Sequence, residues 1–134
     1  MRTQARITAF KVIFASLFEK EQETNNMDID TEIFEYVSKE EKLNSKETVF
    51  AREIADAFFL NKNEIQSLID KSITGYNIQR VYKVDLALIY LAITEYKFLK
   101  TPKPIVVNEV LEIAKIYSTD KSSIFINGVL AKID

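Results

Sequence analysis

The sequence predicts an all-α fold: a compact single-domain helical bundle of about seven helices over residues 1–134. Three observations carry this. Apolar residues recur at three- and four-residue steps along most of the chain, the spacing of one helix face. Two glycines and two prolines are too few for the turns an all-β fold needs. No repeat period and no convincing strand pattern is present. With 47% hydrophobic residues, 134 positions can build one core.

The elements follow in order. Residues 3–18 place Ile7, Phe10, Ile13, Phe14, Leu17 and Phe18 on one stripe, with Arg6 and Lys11 off it, toward water. "EKEQETNNMDID" then loses periodicity and reads as a polar connection. Ile33, Phe34 and Val37 mark a short helix over 31–41. "NSKE" at 44–47 is a capping-box start, with Val49, Phe50, Ile54, Ala57 and Phe58 behind it. "NKNE" at 61–64 repeats the device ahead of Ile65, Leu68, Ile69 and Ile73, and Gly75 stops that helix. Residues 84–99 are apolar on every side, which predicts the central helix of the bundle. Pro104 suits the first position of the next helix, where its fixed φ costs nothing. "STDKS" offers Ser118, Asp120 and Ser122 as caps before a last helix carrying Ile124, Phe125, Val129, Leu130 and Ile133. The β-branched residues at 105–107 and 124–126 are the places where this pattern meets contrary propensity.

Composition excludes much chemistry. Without cysteine there is no disulfide, thiol nucleophile or thiolate metal site, and without histidine the usual general base is missing. Two lone glycines cannot form a phosphate-binding loop. Glu109 and Glu112 share a helix face but have no third ligand near them, so the expectation is no metal, no cofactor and no catalysis. The longest apolar run is too short to cross a bilayer, and Arg6 and Lys11 interrupt any signal-peptide core, which predicts a soluble cytoplasmic protein. Charge is unevenly spread. Residues 19–47 carry ten acids against four lysines, whereas residues 1–18 hold Arg2, Arg6 and Lys11 with no acid before Glu19. Lys97, Lys100 and Lys103 form a second acid-free stretch.

Two C-terminal motifs carry a resemblance. "VNEVLEIAK" at 107–115 and "FINGVLA" at 125–131 stand in order behind Asp85, Glu95 and Pro104. Ala5, Arg6, Ala9, Ile13 and Phe14 match the opening helix of the same family, and Tyr76 and Arg80 match a Trp/Arg pair. In these residues the chain resembles the NusB family of transcription antitermination factors. Tyr90 stands where many members have arginine, and Thr3 and Gln4 interrupt what is usually an arginine-rich start. Asn127 of "ING" and Asn108 of "VNEVLEIAK" are expected to tie the last two helices to their neighbours. Gly128 is expected to let another helix backbone approach.

The resemblance implies a non-enzymatic adaptor. Its partners would be boxA-containing RNA of ribosomal leaders, the ribosomal protein NusE and the RNA polymerase elongation complex, with no membrane and no small-molecule substrate. It implies RNA contacts at Arg2, Arg6, Phe14, Tyr117, Lys121 and Phe125, and a protein contact at Tyr82 and Asp85. The lysines at 97, 100, 103 and 121 could compensate for the thinner arginine content. The rival reading is a helical interaction module of the same fold whose RNA binding is weakened or lost.

Overall fold

The computed structural model describes residues 2–18, 26–73 and 77–134, with side chains for all of these except 26–30. Among them are six α-helices and no strand: α1 (Thr3–Ser16), α2 (Asn26–Glu40), α3 (Ser45–Ser72), α4 (Lys83–Ile93), α5 (Lys103–Tyr117) and α6 (Asp120–Ala131). A 3₁₀ turn at Ile78–Arg80 precedes α4, and a π-helical turn at Thr94–Phe98 prolongs it.

The count is six because two expected helices are one. Asn44 caps α3 as the sequence predicts: its side chain accepts from the Glu47 amide at 2.8 Å, and Glu47 accepts from the Asn44 amide at 2.9 Å. "NKNE" caps nothing. The Asn61 side-chain amide donates back to the Ala57 carbonyl at 2.8 Å, a bond made inside a continuing helix. The apolar face also continues in register, since Ile54, Phe58, Ile65 and Ile69 are all fully buried. A cap needs a backbone that leaves the helix, and this core face holds it in. Gly75 and Tyr76 lie outside the described residues.

Helix α4 is the axis of the bundle. Every residue from Asp85 to Ile93 is buried, and α1, α3, α5 and α6 all pack on it. Tyr90, at the family's arginine position, is a core ring 5.1 Å from Phe58. Helix α2 begins five residues earlier than its apolar stripe suggests. Helix α5 starts at Lys103, which makes Pro104 its second residue. Thr119, rather than Ser118 or Asp120, caps α6, with Ser122 closing the box. The β-branched residues at 105–107 and 124–126 are helical, because Val106 and Ile126 bury completely there.

The "ING" expectation is overturned. Asn108, Asn127 and Gly128 are exposed, and the two amides make no hydrogen bond among the described residues. A Cβ placed on Gly128 would meet nothing within 4 Å. The bundle has no steric need for this glycine, which lowers helix stability by about 1 kcal/mol relative to alanine. The buried members of the segment are its neighbours Ile126, Val129 and Leu130.

Candidate nucleic-acid interface

Four helix ends converge at one end of the bundle. The Lys83 ammonium at the start of α4 lies 5.7 Å from the Phe18 ring just beyond α1. Tyr117, the last residue of α5, packs 5.4 Å from Phe10 of α1. Ser118 donates to Asp85 in the first turn of α4 at 2.6 Å, and its hydroxyl oxygen accepts from Ser122 in the first turn of α6 at 2.6 Å. The bundle is pinned here by a short polar chain running from Asp85 through Ser118 to Ser122.

That junction displays rings and cations together. Phe10, Phe14 and Phe18 form a ladder at one-turn intervals, with centroids 6.2 and 5.1 Å apart. Phe10 is buried, Phe14 half-buried and Phe18 60% exposed. Tyr82 is 56% exposed and Tyr117 37%. Around them stand Lys83, Lys121 and Lys11, whose ammonium is 5.6 Å from the Tyr117 ring. Lys11 also pairs with Glu41, and that bond holds its pKa above the ordinary lysine value. Exposed rings beside lysines can stack on unpaired bases and neutralise phosphates. Phe18 and Lys83 were not picked out as contacts in the sequence. Phe18 fits the core stripe by spacing, and only the end of α1 at Ser16 turns it outward.

The residues expected to contact RNA do not all meet here. Tyr117 and exposed Lys121 do, with Phe14 behind them. Phe125 is half-buried one turn after Lys121 and lines a groove toward the end of α3. Arg2 is exposed, but at the opposite end of α1, its guanidinium 4.1 Å over the Phe50 ring. The 14 residues of α1 separate the two places by about 20 Å.

Arg6 does not face water. It is 5% exposed, and its guanidinium holds the fully buried Glu95 carboxylate through Nε at 2.8 Å and Nη2 at 2.6 Å. Glu109 adds a contact at 3.8 Å, and the Phe50 ring lies 5.4 Å away. The Glu95 hydrogen bond, more than any other influence, raises the Arg6 pKa. A phosphate would have to displace Glu95 to reach this charge. Helical spacing puts Arg6 off the stripe of α1, but α2, α3 and α4 pack around that helix on more than one side, and Glu95 of the π turn reaches its off-stripe face.

Asp85 is likewise interior, 6% exposed and bonded to Ser118, so it positions the α5–α6 junction, whereas nearby Tyr82 is exposed to solvent. The four lysines form no single patch. Lys103, at the first residue of α5, donates to the Ile133 carbonyl at 2.5 Å, and Lys121 lies beyond the other end of that 15-residue helix, about 22 Å along.

No other location competes chemically. Glu112 pairs with Lys115 at 2.9 Å and Glu109 leans on Arg6, and no metal-ligating cluster occurs among the described residues. A groove of about 560 Å³ between α1, α2 and α3 is lined by Val12, Phe34, Ala55 and Phe59, and Arg52 at its rim is paired with Asp56 at 3.2 Å. No helix among the described residues is long and apolar enough to cross a membrane.

Comparison with known proteins agrees with this architecture. The NusB family model matches residues 3–134. The transcription antitermination protein NusB of Listeria innocua is 36% identical over 133 residues, covering 98% of this chain and 94% of that protein. Its counterpart in Finegoldia magna is 30% identical, covering 98% and 92%. Among solved structures, T. maritima NusB superposes with a TM-score of 0.86 at 28% identity, over 99% of this chain and 89% of that one. A crystal structure of the antitermination factors NusB and NusE in complex with double-stranded RNA gives 0.84 at 28% identity, over 97% and 92%. The chain belongs to the NusB family.

Proposed function

We propose that this chain is a transcription antitermination factor that binds boxA-type RNA of ribosomal leaders together with the ribosomal protein NusE, and joins both to elongating RNA polymerase. It works in the cytoplasm as an adaptor and makes or breaks no covalent bond. The observation that carries the RNA half is the junction of exposed Phe18 and Tyr117 with Lys11, Lys83 and Lys121. Among relatives of this architecture, one has been crystallised with both NusE and RNA.

The RNA-facing set is Tyr117 and Lys121, with Phe14 supporting them, Phe125 beside them and Arg2 as a distant phosphate contact. Arg6 is reassigned to the interior. Tyr82 presents its ring to the protein partner from the N-terminal edge of α4, and Asp85 holds that edge in place.

One observation favours the weaker-binding alternative. With Arg6 committed to Glu95, the N-terminal segment offers RNA one arginine, Arg2. RNA affinity of the chain alone is then low, and the ribosomal partner supplies the remainder. Fluorescence anisotropy of a labelled boxA RNA tests the assignment. Tyr117→Ala combined with Lys121→Gln weakens binding at least tenfold at moderate salt, and equal binding by wild type and variant refutes the RNA surface.

A further inference from the structure

We infer that the RNA track continues past Lys121 and Phe125 along α6, through a groove floored by Gly128 and ending at Lys132. This rests on the RNA-binding reading above and extends it to residues at the far end of the same helix.

Residues 121, 125, 128 and 132 recur at four-, three- and four-residue steps, so one face of α6 reads cation, ring, gap, cation. Ile124, Phe125, Gly128 and Lys132 line one wall of a groove of about 210 Å³, with Ser72 and Ile73 at the end of α3 opposite. No carboxylate among the described residues lines it, although the chain carries net charge −2. Lys132 lines the groove, and Lys121 stands one turn before Phe125 on the same face of α6, so a cation marks each end of that face. Lys132 donates to the Ser72 carbonyl at 3.3 Å, which uses one of the three hydrogens of its ammonium.

Gly128 is the informative residue. Among the described residues nothing lies within 4 Å of the place a Cβ would take there, and the glycine weakens its own helix. Its effect is to open the groove to the α6 backbone, which lets a chain from outside lie close. Lys132 in a lining without carboxylates and continuity with Lys121 point to a sugar–phosphate strand as that chain. Phe125, half-buried in the wall, supplies an apolar surface to the ribose or base.

The test uses the full chain, a fluorescein-labelled boxA RNA, and separately the NusE-type ribosomal protein. Gly128→Ala keeps or raises the melting temperature, because alanine is the better helix former. Gly128→Leu fills the groove and lowers RNA affinity at least fivefold. Lys132→Gln makes the dependence of log affinity on log salt shallower by about one unit, a readout independent of how Gly128→Leu folds. Lys115→Gln, an equal loss of charge on α5, leaves affinity unchanged. If Gly128→Leu binds RNA as wild type does, or Lys132→Gln leaves the salt slope unaltered, the track does not extend along α6. If Gly128→Leu weakens only the ribosomal protein, the occupant is polypeptide and the inference is overturned. Should Tyr117→Ala with Lys121→Gln still weaken RNA binding at least tenfold in those cases, the proposed function stands without this extension. Should that pair also bind normally, both fail.

Discussion

Arg6 and Glu95 lie 89 positions apart and meet in the interior, with Nε and Nη2 of one guanidinium donating to a single carboxylate that has no exposure to solvent. The pair joins α1 to the π turn that follows α4. Its value lies in being complete, because either partner alone would be an uncompensated buried charge.

Removing one partner is therefore costly. Arg6→Ala or Glu95→Leu should each lower stability by about 3–5 kcal/mol. Arg6→Met combined with Glu95→Leu, which replaces both charges with apolar groups of similar size, should cost less than either single change. Urea unfolding followed by circular dichroism gives the comparison, and a double variant worse than both singles would contradict the pairing argument.

The junction that carries the rings depends on Ser118. Ser118→Ala deprives the buried Asp85 carboxylate of its donor and breaks the link to Ser122, for a loss of about 1–3 kcal/mol. RNA binding by the folded fraction should weaken as well, since Tyr117 is the adjacent residue. An unchanged unfolding midpoint would show that the bond contributes nothing.

Burial, the larger influence, and the charges of Asp70 and Asp134 push the phenols of Tyr90 and Tyr96 up to about 12 from an ordinary 10.0. Tyr96 also donates to the Ile133 carbonyl at 2.8 Å. Above about pH 10 the unfolded chain releases these protons while the folded chain keeps them. The stability they contribute is therefore complete below pH 10 and declines as pH rises toward 12. Thermal melts across that window should fall steadily, with tyrosinate absorbance from these two residues appearing together with unfolding. Tyr90→Phe should flatten part of the fall.

The sequence made the helices legible wherever one face was apolar, and it identified α4 as the axis because its residues have no polar side. Three features escaped it, each for a tertiary reason. Helical period assigns Arg6 to the outside of α1, but a helix packed on several sides buries positions off its main stripe, and Glu95 comes from a distant segment. "NKNE" has capping chemistry, yet Ile65 and Ile69 hold the backbone in the helix. Asn127 and Gly128 look like core devices within an apolar stretch, but a short rotation around α6 separates them from buried Ile126 and Val129. Of the ring junction, Tyr117 and Lys121 are the members that the resemblance also names. Phe18 and Lys83 required knowing where α1 ends and what stands opposite.

The distance between Arg2 and the ring junction predicts a divided salt response. Arg2→Gln should reduce the salt slope of RNA binding by about one unit and lower affinity evenly across sequences, as the loss of a phosphate contact does. Tyr117→Ala should lower affinity about 10- to 100-fold with little change in slope, as the loss of a stacking ring does. Circular dichroism should be unchanged for both, because both side chains reach solvent. Reversed behaviour of the two variants would misplace the rings and the phosphates.

The central claim is a helical scaffold that joins RNA to a ribosomal protein, and the most direct measurement is an anisotropy titration of boxA RNA at two salt concentrations, with and without NusE. The account predicts weak, salt-sensitive binding by the chain alone and at least tenfold tighter binding with the partner, lost on scrambling the RNA. No binding in the presence of the partner, or equal affinity for scrambled RNA, would contradict it.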